Sequence, residues 1–342
     1  ERVAAEQAVR AYRSLDELWN DRSVDAVCIC TPSGTHGALA IDALRHGKHV
    51  LVEKPMALIR EECRTIFDES RKNGLQAGVV SQLRFSPGVQ LVKQAVEQGR
   101  LGRLVSTELN MKYYREESYF SASAWRGTKS MDGGGALMNQ GIHGVDLLQY
   151  IAGMPVRVFG QSRTLVHDIE VEDDVTAYLE FANGATGTFI ASTGDALGEN
   201  RLEIIGTRAR IRIENDQLTL DTLSVDERDW CPVCKEPFGV PDIQHEIVQT
   251  DGENPQHAGV LNAFAAHILH GTPLVADGRE GIRGLMLSNA MHLSSWTNQT
   301  VSLPIDEELF LKLLNEKRRT SRHKDEVDAA IDVSGSFGST RK

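Results

Sequence analysis

The stretch VDAVCICTPSGTHGALAIDALRHGKHVLVEKP, residues 24–55, decides the fold class. It opens with a nearly continuous apolar run, Val24 to Cys30, that stops at Thr31-Pro32. A strand buried on both faces reads this way, as in a parallel sheet covered by helices. His36 to His46 then carries Ala40, Ile41, Ala43 and Leu44 on one side, and Gly47 is placed to end that helix. HVLVE, residues 49–53, is the next strand. Working outward, Arg60 to Asn73 predicts a helix closed by Gly74, and QAGVV, residues 76–80, predicts a third strand. Upstream, Val3 to Tyr12 is Ala-rich and predicts a helix, and Leu15 to Trp19 predicts a short one capped by Ser14. Strands and helices alternating through short connections predict a doubly wound parallel α/β sheet over residues 1–82.

Residues 83–318 change character. Pro87 to Gln98 predicts a helix ended by Gly99, and longer alternating strands follow: LVSTELNMKYY, VRVFGQSRTLV and DVTAYLEFANGATGTFIAST. The last holds Asn183-Gly184 between two alternating runs, a hairpin signal. RLEIIG, ARIRIE and QLTLDTL continue the pattern to residue 223. A polar, Pro-containing insert (224–256) precedes two helices, His257 to Leu269 and Glu280 to Trp296. This predicts an α+β domain with a large, mostly antiparallel open sheet. Residues 319–342 are charged, then Ser/Gly-rich, and predict a disordered tail.

Composition narrows the function. The chain of 342 residues is 41% apolar and 25% charged, ordinary for two globular domains. A formal net charge of −11 argues against nucleic acid and anionic membranes, which reward a basic face. No apolar run approaches the roughly 18 residues of a membrane span. The five cysteines predict reduced thiols in a cytoplasmic protein. Cys231 and Cys234 have C-x-x-C spacing, but a zinc knuckle needs four ligands, so the expectation is free thiols and no metal. The acidic HDIEVEDDV, residues 167–175, predicts a solvated turn.

Two groups of residues carry chemistry. Lys54 stands at a strand tip beside Pro55, which restricts its backbone, so its ammonium can donate to an oxygen lying across the strand ends. The bland alternative is a surface lysine after an edge strand. MDGGGALMNQGIHGVDLLQYIAG, residues 131–153, opens on three glycines and predicts a helix. Asn139, His143 and Asp146 fall at spacings of four and three, near one face. Asn and His one turn apart can hold a hydroxyl and remove its proton through the imidazole, whose ordinary pKa is about 6.5. The bland alternative is a histidine satisfied in an interdomain core.

Together these motifs resemble the Gfo/Idh/MocA family of nicotinamide-dependent oxidoreductases, from about residue 1 to 318. Residues 24–55 are similar to its strand-helix-strand pattern with the Glu-Lys-Pro signature. WRGT (Trp125 to Thr128) followed by GGGALMNQGIH resembles its His-containing helix, and the segment from His257 to Pro304 resembles its C-terminal helices. The resemblance implies Lys54 as the catalytic lysine and His143 as the acid/base. Asn139 stands where many members carry Asp, so no carboxylate at that position tunes the histidine. Thr31, Pro32, His36 and Glu53 are implied at the cofactor, NAD or NADP, beside Lys54, with Arg84, Trp125 and Arg126 near its nicotinamide. Tyr113, Tyr114 and Arg115, with Asn139 and His143, are implied at the substrate.

The family begins with a strand and a G-x-G-x-x-G loop facing the pyrophosphate, and this sequence contains no such loop. ERVAAEQAV resembles the helix after the second strand, so the expectation is a chain whose first βαβ part is missing. The reading is then a dehydrogenase of a secondary alcohol on a sugar, cyclitol or nucleotide sugar. Its Tyr-rich strand and WRGT…MNQGIH wording come nearest the branch that oxidises UDP-N-acetyl-hexosamines. The alternative is a non-catalytic ligand-binding or regulatory protein on the same fold. The second sheet, expected to be polar on neither face, implies a face-to-face homo-oligomer, dimer or tetramer.

Overall fold

The computed structural model describes residues 2–322 and 324. Two short helices, α1 (Arg2–Glu6) and α2 (Leu15–Asn20), lead into β1 (Ala26–Ile29), α3 (His36–Arg45), β2 (His49–Val52), α4 (Arg60–Asn73) and β3 (Ala77–Val79). The strands pair in parallel in the order β1-β2-β3, with Ala26 opposite His49 and Val52 opposite Val79. Val50 and Val52 are fully buried against Ala40, Ala43 and Leu44 of α3 and Cys63 and Ile66 of α4. Each such aliphatic side chain contributes about 1.5–3 kcal/mol on burial, so the unbroken apolar run belongs in the middle of the sheet. Ser14 Oγ accepts from Glu17 N at 3.2 Å to start α2, and Gly74, at φ +64°, closes α4.

Two expectations change here. The helix read from Val3 to Tyr12 stops at Glu6: Ala8 adopts φ +52°, and none of its residues is buried, so no packing extends it. β1 is not covered on both faces; it is the edge strand, with Cys28 and Cys30 exposed.

The second part runs α5 (Pro87–Glu97), β4 (Leu104–Lys112), α6 (Glu117–Ser121), α7 (Ala136–Asn139), α8 (Ile142–Ala152), β5 (Arg157–Arg163), β6 (Asp174–Glu180), β7 (Thr186–Ser192) and β8 (Arg201–Gly206). It continues through β9 (Ala209–Glu214), β10 (Gln217–Leu223), α9 (Glu227–Trp230), β11 (Ile243–Val248), α10 (Gln256–His270), α11 (Gly278–Thr297), β12 (Val301–Ser302) and α12 (Glu307–Arg319). Nine strands form one sheet in the order β11-β10-β9-β8-β4-β7-β6-β5-β12, antiparallel throughout except for the parallel pair β4/β7. The chain is thus a Rossmann-like parallel sheet joined to a large, mostly antiparallel one. On β6, Val175, Ala177 and Leu179 are buried while Thr176 and Tyr178 face out, the alternation expected of a one-sided sheet. The outer face is mixed rather than apolar: Phe159 and Tyr178 share it with Thr176 and Thr188.

The polar 224–256 insert, for which no strand was expected, contains β11, paired to β10 with His245 opposite Asp221. Five of its six residues are exposed, so no apolar alternation marks it. α11 joins the two parts: Leu285 enters the first core, and Leu287, Ala290, Met291 and Leu293 enter the second. α12 runs to Arg319, and beyond it Ser321 Oγ donates to Glu170 Oε2 at 2.6 Å. The tail expected to be disordered lies otherwise outside the described residues, at 323 and 325–342.

Candidate active site

At the end of β2, Glu53 N donates to Ile29 O at 2.9 Å, which ties this tip to β1. The next residue, Lys54, reaches across to the end of α7 and donates its ammonium to Asn139 O at 2.6 Å. Burial lowers the Lys54 pKa; Glu53 and Asp132 oppose the shift, and the cations Arg115 and Arg126 reinforce it. A parallel sheet with helices on its faces thus leaves its carboxyl edge as a rim, and the glycine segment closes that rim from the second sheet.

The glycines make that closure possible. Gly133 sits at φ +76°, and a Cβ on Gly135 would lie 1.8 Å from Glu172 O, so only glycine fits there. Glu172 grips the segment: its Oε1 accepts from Gly135 N at 2.8 Å and Leu137 N at 3.1 Å, and Ala136 N donates to Glu172 O at 2.7 Å. The segment is not one helix as expected. It breaks at Gln140-Gly141 into α7 and α8, where a Cβ on Gly141 would stand 2.8 Å from Ala191 Cβ. Asn139 therefore ends one helix and His143 lies in the first turn of the next.

His143 and Lys54 line the same cavity of about 30 Å³, with Asp146 and Glu280. Among the described residues neither His143 ring nitrogen makes a hydrogen bond, so no carboxylate relay holds it. Burial, with the charges of Lys54 and His257, holds its pKa well below the usual value. The imidazole is therefore neutral near pH 7, the form that accepts a proton.

The other expected residues divide. Thr31 and Pro32 stand at the end of β1, where Thr31 Oγ1 and Thr35 Oγ1 are 2.7 Å apart and Gly34 N donates to Met131 O at 2.8 Å. His36 is a clamp: buried, it sets one ring nitrogen 2.8 Å from Pro55 O and the other 2.7 Å from Thr31 O. Glu53 faces His257 of α10 at 3.7 Å. Arg126 stacks on Tyr119 at 4.4 Å and on Trp125 at 5.2 Å, and Arg115 lies 5.2 Å over Tyr119. Tyr114 turns outward, 37% exposed. Arg84, expected beside a nicotinamide, has no free donor edge: its guanidinium is 1% exposed and bonded to Asp146, Glu280 and Val275 O.

The sequence reading missed Asp132, Glu172, Asp173 and His257. The acidic run is not a solvated turn: Glu172 and Asp173 are buried, and Asp173 accepts from the amides of Leu165, Val166 and His167 at 2.7–2.9 Å. Buried main-chain donors need acceptors, and the carboxylates supply them. Asp132, 1% exposed, accepts from Gly127 N at 2.9 Å and Asn139 Nδ2 at 3.2 Å. Its place immediately before the glycines was the one available signal.

For a nicotinamide dinucleotide the residues fit at one end. Thr31 and Pro32, the Glu53 carboxylate, the Lys54 ammonium and the unpaired His143 imidazole border the strand ends, a donor set suited to a nicotinamide and a hydroxyl. Among the described residues no G-x-G-x-x-G segment stands at these strand ends to face a pyrophosphate.

Comparison with known proteins gives the family. Residues 1–81 match the model of the oxidoreductase family with NAD-binding Rossmann fold, and residues 89–212 match the GFO/IDH/MocA C-terminal domain. The chain belongs to the Gfo/Idh/MocA oxidoreductase family. It is similar to levoglucosan dehydrogenase of Pseudarthrobacter phenanthrenivorans, 28% identical over 61% of this chain and 60% of that protein. It is also similar to myo-inositol 2-dehydrogenase of Thermotoga maritima, 25% identical over 86% and 84%. Among solved structures, WlbA dehydrogenase from Bordetella pertussis, in complex with NADH and UDP-GlcNAcA, superposes with a TM-score of 0.75. The two are 29% identical, over 89% of this chain and 87% of that one. The match spans 59–62% of the length of the first three curated relatives.

Proposed function

We propose that this chain is an NAD-dependent dehydrogenase of a secondary alcohol on a sugar, cyclitol or nucleotide sugar. One observation carries the reading: a half-buried lysine anchored on Asn139 O shares a cavity with a neutral, unpaired histidine. The bound nicotinamide supplies the hydride acceptor. Thr31, Pro32 and Glu53 would border it at the strand ends. Lys54 donates to the substrate oxygen and holds it in place. His143 takes the hydroxyl proton as the hydride leaves carbon, and Arg115 and Arg126 supply positive charge for an anionic group on the substrate. The names of the relatives support the substrate class, and NADH in the WlbA structure supports the cofactor.

The outer face of the nine-stranded sheet, with Phe159 and Tyr178 exposed, supports association of two copies. No described helix is long and apolar enough to cross a membrane, and all five cysteines are free thiols, which supports a cytoplasmic setting.

The test is turnover of NAD with a panel of cyclitols, sugars and UDP-sugars, followed by nicotinamide absorbance. Lys54→Met and His143→Asn should each lower kcat by roughly 10²–10⁴-fold while both variants still bind NADH. Full activity in both would end the mechanism. NADH and sugar binding without turnover in the parent chain would favour the ligand-binding alternative.

A further inference from the structure

We propose that Asp132 is a positioning residue that orients the Asn139 amide so that its carbonyl oxygen, not its NH2, is offered to the reacting hydroxyl. The proposal rests on the dehydrogenase reading above and deepens it. Asp132 joins the two halves of the site: one carboxylate oxygen accepts from Gly127 N, next to Arg126, and the other from Asn139 Nδ2. An ionised carboxylate only accepts, so it fixes which end of the amide faces it. The amide is planar and its two ends point apart. Oδ1 is therefore left facing away from Asp132, and among the described residues nothing donates to it. Asn139 is also the residue whose main-chain oxygen holds the Lys54 ammonium, so the residue that Asp132 orients is tied to the lysine through its backbone. The chain thus sets its carboxylate behind the amide rather than at position 139.

The arrangement is sensitive to protonation. Burial pushes the Asp132 carboxyl up to about 7; the hydrogen bond from Gly127 opposes this, Glu172 adds to it, and Lys54 and Asn139 oppose it. Glu172 faces Asp132 from the segment before β6 and Lys54 from the tip of β2, beyond ion-pair contact. Glu53, Arg115 and Arg126 face Lys54 in turn, and His143 on α8 stays neutral. Below that pH a protonated Asp132 can donate as well as accept, and the amide loses its imposed direction.

Two readouts test this. In the first, the side-chain NH2 resonances of Asn139, assigned by their absence from Asn139→Asp, are followed against pH in the unmodified chain. They should shift with a midpoint near 7, and Asp132→Asn should abolish the shift. In the second, kcat should fall as pH drops through that midpoint. Asp132→Asn should lower the plateau about tenfold, the worth of one neutral hydrogen bond, and remove that limb. The exchanged pair Asp132→Asn with Asn139→Asp should recover most of the loss. Asn139 resonances that ignore pH, or an Asp132→Asn profile identical to the parent, would overturn the proposal. If no sugar is turned over at all, the dehydrogenase reading fails, and the resonance titration still decides whether Asp132 orients Asn139.

Discussion

Arg84 separates a ligand contact from a structural strut, and Arg84→Met tells them apart. Its Nε and Nη2 donate to the two oxygens of Asp146 at 2.8 and 2.6 Å, Nη2 also to Glu280 at 2.9 Å, and Nη1 to Val275 O at 2.9 Å. The guanidinium also lies 4.3 Å over the Tyr150 ring. The substitution keeps the aliphatic bulk and strands two carboxylates. Removing one partner of a buried ion pair costs about 3–5 kcal/mol. Asp146 and Glu280 side chains retain 16% and 19% exposure, so water recovers part of that, and about 3 kcal/mol is expected. That is roughly a 150-fold change in the unfolding equilibrium. Urea unfolding followed by the fluorescence of the four tryptophans measures it, with NADH titration of the folded variant alongside. The expected result is a lower midpoint and unchanged NADH affinity per folded molecule. Replacing Asp146 and Glu280 by Leu in the same chain should restore much of the stability, because no charge is then left unpaired. Unchanged stability with weakened NADH binding would refute the strut and return Arg84 to the ligand.

Two further outcomes follow from the same packing. Gly135→Ala places its Cβ on the carbonyl oxygen of Glu172, 1.8 Å away, and should destabilise by about 1–3 kcal/mol or more, read as a lowered thermal midpoint. Burial pushes the Asp173 carboxyl up, but the hydrogen bonds from His167, Leu165 and Val166 outweigh it and hold the pKa below the ordinary value. A depressed carboxyl stabilises the fold above its unfolded pKa of about 3.9, and that contribution is lost as pH falls through the folded value. Acid titration of Asp173→Asn should therefore show a shallower loss of stability below pH ~4 than the parent, and an identical slope would count against this anchoring.

Much of the fold was legible because it rests on local signals. The apolar run at residues 49–52, the glycine closing α4 and the Asn-Gly hairpin each act within a few residues, and each lies where the sequence places it. β11 was not legible, since a strand exposed on both faces imposes no alternation. The acidic run misled for a similar reason. Charge by itself reads as solvent-facing, yet Glu172 and Asp173 are buried because main-chain amides elsewhere in the chain need them.

The site divides in the same way. By itself the sequence determined the parallel sheet, the lysine at the tip of its second strand, the glycines and the histidine near them, because spacing and backbone restriction are properties of the chain. Only the tertiary structure decided that Lys54 meets a main-chain oxygen rather than a side chain, and that Arg84 is consumed by Asp146 and Glu280. It also decided that Asp132 stands behind Asn139. These are contacts between residues distant in sequence or, for Asp132 and Asn139, across the glycine turn. Which polar group is buried, and against whom, is fixed when the two sheets close on α11, where each buried donor or acceptor must find its partner.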